Sequence, residues 1–241
     1  MFDLENKFVN AVLNSEKEKV EKHNVVEKYL NNGLFEKIKI ELTDIEIYYD
    51  SVGKWFFRLN DVFDSIQKIQ IDINRNRFTR KGMTTTYNKL LKSLNDYNLY
   101  LASFHDLSLH LLVAVLRIKI THKNITWNKI KNYSPSEINL IMEELFTLLE
   151  GEIKFRNSSL HDFDYSWIEK YFSYETIRFL SIMSFPELKI VLEPLQKPLV
   201  HIANLELIEI KENVSDKIKT LEKTTYKLFN CFMKYYEKSE V

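Results

Sequence analysis

A chain of 241 residues that is 45% hydrophobic and 28% charged carries enough apolar side chain to bury a core, which excludes an intrinsically disordered protein. Its 34 basic residues balance 34 acidic ones, so no global field draws it to nucleic acid or to an anionic membrane, and a polyanion would have to meet a local patch. Four glycines and four prolines are too few for the tight turns of an all-β protein, and the expected fold class is all-α, a bundle of long antiparallel helices.

The elements follow in chain order. From Leu4 to Asn32, Phe8, Val12, Val20, Val25, Val26 and Tyr29 recur at helical spacing among many charges, with Gly33 as a stop, which predicts one long and mostly exposed helix. Thr43 and Asp44 can cap a second helix carrying a 3.6-periodic stripe from Ile45 through Tyr48, Val52, Trp55, Phe56, Leu59, Phe63 and Ile66 to Ile69. A basic connector, Arg75 to Gly82, precedes a third helix that starts near Thr84 and runs from Tyr87 to Val115, its second half set deepest in the core. After a short segment at 126–132, Ser134-Pro135-Ser136-Glu137 reads as a capping box with proline at the first helical position. The helix it opens is expected to end near Gly151 or a turn beyond. A further helix is predicted from Tyr165 to about Met183, then turns or short helices around Pro186, Pro194 and Pro198, then a last long helix from about Leu205 to Glu237. Even composition and the absence of repeats predict a single helical domain over 1–241, with a subdivision into an N-terminal part, 1–125, and a bundle, 126–241, as the alternative.

Several function classes are disfavoured by what is missing. The single cysteine, Cys231, excludes a disulfide framework within the chain and a Cys-rich zinc site, and it fits a reducing, cytoplasmic compartment. The N-terminus lacks the basic and apolar regions of a signal peptide, and the most apolar stretch, Leu107 to Ile120, is broken by His110, Arg117 and Lys119, so no membrane association is expected. There is no glycine-rich phosphate loop, no G-x-S-x-G elbow and no H-E-x-x-H pair. His105 and His110 lie five apart, and His23, His122 and His201 have no carboxylate at ligand spacing, so neither metal nor cofactor is expected.

The most informative segment is Arg156-Asn157-Ser158-Ser159-Leu160-His161, placed between two helices late in the chain. It resembles the signature of the HEPN superfamily, α-helical domains that include metal-independent endoribonucleases and toxins with a polar residue directly after the arginine. A second bare spacing, Arg117 to His122, has Ile118 in that position and is set aside. The chemistry is sound: a guanidinium offers a fixed fork of donors to a scissile phosphate, and an imidazole that titrates near neutrality can exchange protons with the 2′-hydroxyl or the leaving oxygen. The resemblance implies Arg156 and His161 as catalytic residues, with Asn157 orienting them, in a composite site at the cleft of a homodimer acting on RNA. Phe163 stands where HEPN toxins paired with nucleotidyltransferase antitoxins carry a tyrosine, although an antitoxin or regulatory protein remains a partner of the kind the resemblance implies.

Lys154, Ser158 and Ser159 are further candidates for phosphate contact. So is the basic connector with Arg75, Arg77, Arg80 and Lys81, which the aromatic Phe78 interrupts. Trp167, Tyr171 and Phe172, directly after the motif, are where an apolar dimer contact is expected. Two other readings stay open on the sequence. One is a catalytically silent HEPN-like domain that binds RNA, a nucleotide or a protein. The other is a helical assembly protein in which Arg156 and Asn157 merely terminate a helix.

Overall fold

The computed structural model describes residues 2–32, 41–121, 125–159, 166–183 and 193–237. All regular structure among them is helical: α1 (Lys7–Lys22), α2 (Val25–Asn32), α3 (Asp44–Arg75), α4 (Met83–Val115), α5 (Trp127–Ile130), α6 (Ser136–Ser159), a 3-10 turn (Ser166–Lys170), α7 (Tyr174–Ile182) and α8 (Glu193–Tyr236). The all-α expectation therefore holds. No helix among the described residues is long and apolar enough to cross a membrane. The residues gather into two compact units, one from Met1–Val62, Phe104–Thr147 and Glu222–Val241, the other from Phe63–Ser103 and Leu148–Leu221.

In the first unit the N-terminal segment is not the single exposed helix its charges suggest. Asn6 caps α1 by accepting from the Phe8 and Val9 amides, and the helix breaks at Asn24, whose φ of 48° is a left-handed conformation that asparagine tolerates. Phe8, Val9 and Val12 are buried, with the Phe8 ring packed against Phe56, Phe229, Phe232 and Tyr236. The charges that made the segment look solvated occupy only its outer face. A Cβ at Gly53 would lie 2.5 Å from the Glu16 carboxylate, the far end of a flexible side chain of α1 that can move aside.

The start of α3 is a capping box. The Glu46 amide donates to Thr43 Oγ1 at 3.4 Å, and the Thr43 amide donates to Glu46 Oε2 at 2.8 Å. By contrast, the box expected at Ser134 does not form. Ser134 Oγ pairs with the Asn139 side chain, and Glu137 is drawn instead to the Lys234 ammonium at 2.9 Å. The C-terminal half of α4 meets its expectation, with Leu111 to Val115 all buried. Cys231 is buried too, and burial together with the Glu137 carboxylate pushes its thiol up to about 11.

In the second unit the core is built from Phe63, Ile66 and Ile73 of α3, Leu90 and Leu94 of α4, and Ala203, Leu207, Ile210, Val214 and Ile218 of α8. Three helix boundaries differ from expectation. α6 runs two turns past Gly151, because its inward stripe of Leu149, Glu152 and Arg156 continues beyond the glycine, whose cost of about 1 kcal/mol a long helix absorbs. The helix expected from Tyr165 begins only at Tyr174, since Ser173 Oγ accepts from the Thr176 amide at 3.3 Å and starts a new helix. α8 starts at Glu193 and takes in Pro194 and Pro198; Pro194 falls in the first turn, where an amide would lack a helical partner anyway. Pro186 and Gly33 lie outside the described residues.

Candidate functional site

Arg156 to Ser159 of the motif form the C-terminal end of α6. The stripe that buries Ile138, Met142, Leu145, Leu149 and Glu152 recurs at alternating steps of four and three, and the next step of four reaches Arg156. Arg156 is therefore half-buried rather than fully solvated, while Asn157 is exposed. Its position in the last turn also places a cation where the helix dipole favours one. Ser158 and Ser159 complete the helix, and their side chains, like the whole of His161 and Phe163, lie outside the described residues. Lys154 is exposed and tied to Glu150 one turn back at 2.6 Å, which holds the Glu150 carboxyl below its usual range.

Arg75, the last residue of α3, and Arg77, Arg80 and Lys81 on the connector to α4 are all exposed. Phe78 is not. Its ring is 1% exposed and packs edge-on against Phe172, and its backbone is clasped on both sides by Asn204: the Phe78 amide donates to Asn204 Oδ1 and Asn204 Nδ2 donates to the Phe78 carbonyl, each at 3.0 Å. The connector offers a phosphate backbone four cations but no aromatic platform for a base. The expected dimer patch changes in the same way. Phe172 is buried against Phe78 and Tyr87, and Tyr171 donates its hydroxyl to Asn98 Oδ1 at 2.8 Å. Of that group, the Trp167 side chain lies outside the described residues. Exposed apolar side chains in the unit include Leu195, Ile202, Leu205 and Ile208 on α8, with Ile71, Tyr100 and Tyr174 on α3, α4 and α7.

Of the set-aside pair, Arg117 closes α4. Its amide donates to the Ala114 carbonyl and the next amide to the Val113 carbonyl, with Arg117 at φ 54° in the place usually given to glycine. Its guanidinium lies over the Tyr48 ring, 4.0 Å from the centroid. That is a helix-ending role, and His122 lies outside the described residues.

One turn before Arg156 stands a group outside the motif. The Glu152 side chain is 0% exposed, and each of its oxygens accepts from one lysine, Lys170 at 2.8 Å and Lys217 at 2.6 Å. Burial raises its carboxyl, but the two ammonium groups more than offset that, so it is held below the usual carboxylate range. Lys217 moves the other way: burial lowers its pKa and Glu152 only partly restores it. These side chains line a cavity of about 290 Å³ together with Tyr97, Tyr171, Glu209 and Asn213. The signal in the sequence was an acidic residue on the apolar stripe of α6 and a lysine beside Val214 and Ile218 on α8. Comparison with protein-family models, with curated proteins and with solved structures returned no match.

Proposed function

We propose that this chain is a HEPN-type, metal-independent endoribonuclease, a toxin or defence effector in kind, that cleaves RNA by transesterification. The observation that carries the reading is the sequence Arg156-Asn157 with His161 five residues after the arginine, closing a long helix of an all-helical chain. Arg156, partly desolvated, would stabilise charge developing on the scissile phosphate; His161 would exchange the proton of the 2′-hydroxyl or of the leaving oxygen; exposed Asn157 would orient the substrate. One arginine and one histidine do not supply both an acid and a base for the same turnover. The reading therefore requires a second copy, for which the exposed apolar residues of α8 offer a surface. Arg75, Arg77, Arg80 and Lys81 would add electrostatic attraction for the RNA backbone.

The test is cleavage of mixed-sequence RNA by purified protein in EDTA, with mass measured by light scattering. The expected result is cutting by a dimer, reduced about 10²-fold or more in His161→Ala and in Arg156→Lys, which keeps the charge but loses the bidentate fork. Cutting that survives both substitutions, or a chain that remains monomeric while active, would sink the reading. A catalytically silent binding domain is the second reading, favoured by the polar cavity around Glu152 in the same unit; folded protein that never cuts RNA but retains a ligand there would support it.

A further inference from the structure

Inside the second unit, the cavity lined by Tyr97, Glu152, Lys170, Tyr171, Asn213 and Lys217 has the features of a built site rather than a packing fault. Its volume of about 290 Å³ falls at the low end of pockets that hold small molecules. Tyr97 is 2% exposed, and its hydroxyl finds no hydrogen-bond partner among the described residues. A buried hydroxyl without a protein partner is rare in native cores and calls for a ligand or a water beside it. Its surroundings explain the direction in which it would bond. Burial first, then the neighbouring Tyr171 and Glu152, push the phenol far above its ordinary pKa, so Tyr97 is held as a neutral donor.

The charges point the same way. Two ammonium groups meet one carboxylate, and both oxygens of that carboxylate are already engaged. Each lysine has three protons to donate and gives one to Glu152, so donors remain for another acceptor. Lys217, whose burial disfavours its charge, would gain from a second anion. Glu209, also on the lining, disfavours a second anionic group and can accept from a ligand hydroxyl or amine.

We infer that this cavity binds a small organic monoanion, a carboxylate or a phosphate ester, whose oxygens take hydrogen bonds from Tyr97, Lys170 and Lys217 and whose far end presents donors to Glu209 and Asn213. The inference is independent of the ribonuclease reading, since neither Arg156 nor His161 takes part in it.

Calorimetric titration of the full chain with inorganic phosphate and, separately, with acetate, against chloride at matched ionic strength, tests it. Saturable binding of at least one probe is expected, and which one binds distinguishes a phosphate from a carboxylate ligand. Tyr97→Phe, which removes one hydroxyl from an unpartnered position, should weaken binding about fivefold without loss of fold, and Lys170→Met, at the more exposed lysine, about tenfold. Lys129→Ala, an exposed cation of the first unit, should leave it unchanged. No saturable binding of either probe would overturn the proposal, as would equal affinity in wild type, Tyr97→Phe and Lys170→Met; in the latter case the anion sits elsewhere and Tyr97 is served by water alone.

Discussion

Glu152 shows how one side chain can decide both stability and chemistry. It follows Ile138, Met142, Leu145 and Leu149 on the inward face of α6, and its charge is tolerated because two lysines from other segments reach it. Removing it leaves Lys217, 21% exposed, without its counter-charge. Glu152→Ala is accordingly expected to lower unfolding free energy by about 3 kcal/mol, the lower end for a broken buried pair because Lys170 still reaches solvent. Urea denaturation measures it, and a loss below about 1 kcal/mol would place the triad in effectively aqueous surroundings. Replacement of all three by apolar residues of similar size is the instructive contrast, since a paired charge is itself weak support for a fold.

At the level of elements, apolar periodicity was a reliable guide and capping chemistry was not. The stripe from Tyr48 to Ile66 in α3 and the deep second half of α4 could be read directly, because a 3.6-residue period survives whatever surrounds it. Caps depend on competition. Thr43 and Glu46 have no stronger local alternative and pair, whereas Glu137 has a lysine from α8 within reach and abandons Ser134. Charge density misled at α1, where Phe8, Val9 and Val12 suffice to bury one face. Prolines misled at α8, since a helix tolerates Pro194 in its first turn. Thr43→Ala is predicted to cost about 1 kcal/mol by thermal or urea unfolding, and Thr43→Ser to restore most of it. Equal losses in both would mean that packing, not the cap, fixes the start of α3.

The same limit governs how much of the site could be foreseen. Arg156 and Asn157 were found by a local motif, and their placement at a helix end followed from it. The Tyr97 hydroxyl, Glu152 and the lysines of the cavity come from α4, α6, the 3-10 turn and α8, separations across the chain that no local pattern encodes. Phe78 is the opposite case: an aromatic among arginines suggests a stacking platform, and Asn204, far along the chain, turns it inward.

Over the whole molecule, formal neutrality conceals a directional dependence on pH. Glu46, Glu137, Glu144 and Glu152 are all held below the ordinary carboxylate range by hydrogen bonds and ammonium partners. A carboxyl depressed in the folded state adds stability that is complete above its unfolded value of about 4.3 and is lost as pH falls through the folded one. Tyr97, Tyr171 and Tyr236 are raised by burial, so each resists ionisation in the fold and costs stability once pH exceeds the unfolded value of about 10. Urea unfolding across the pH scale should give a broad plateau at neutrality with one decline below about pH 4 and another above about pH 10. A decline already complete at pH 6 would contradict these assignments.

Burial of the one thiol has a practical corollary. With Cys231 enclosed and its proton held up to about 11, a thiolate forms in quantity only when α8 is stripped of its neighbours. The rate at which a maleimide consumes it is then a stopwatch for opening events in that stretch of chain, with one signal from one position and no engineered label.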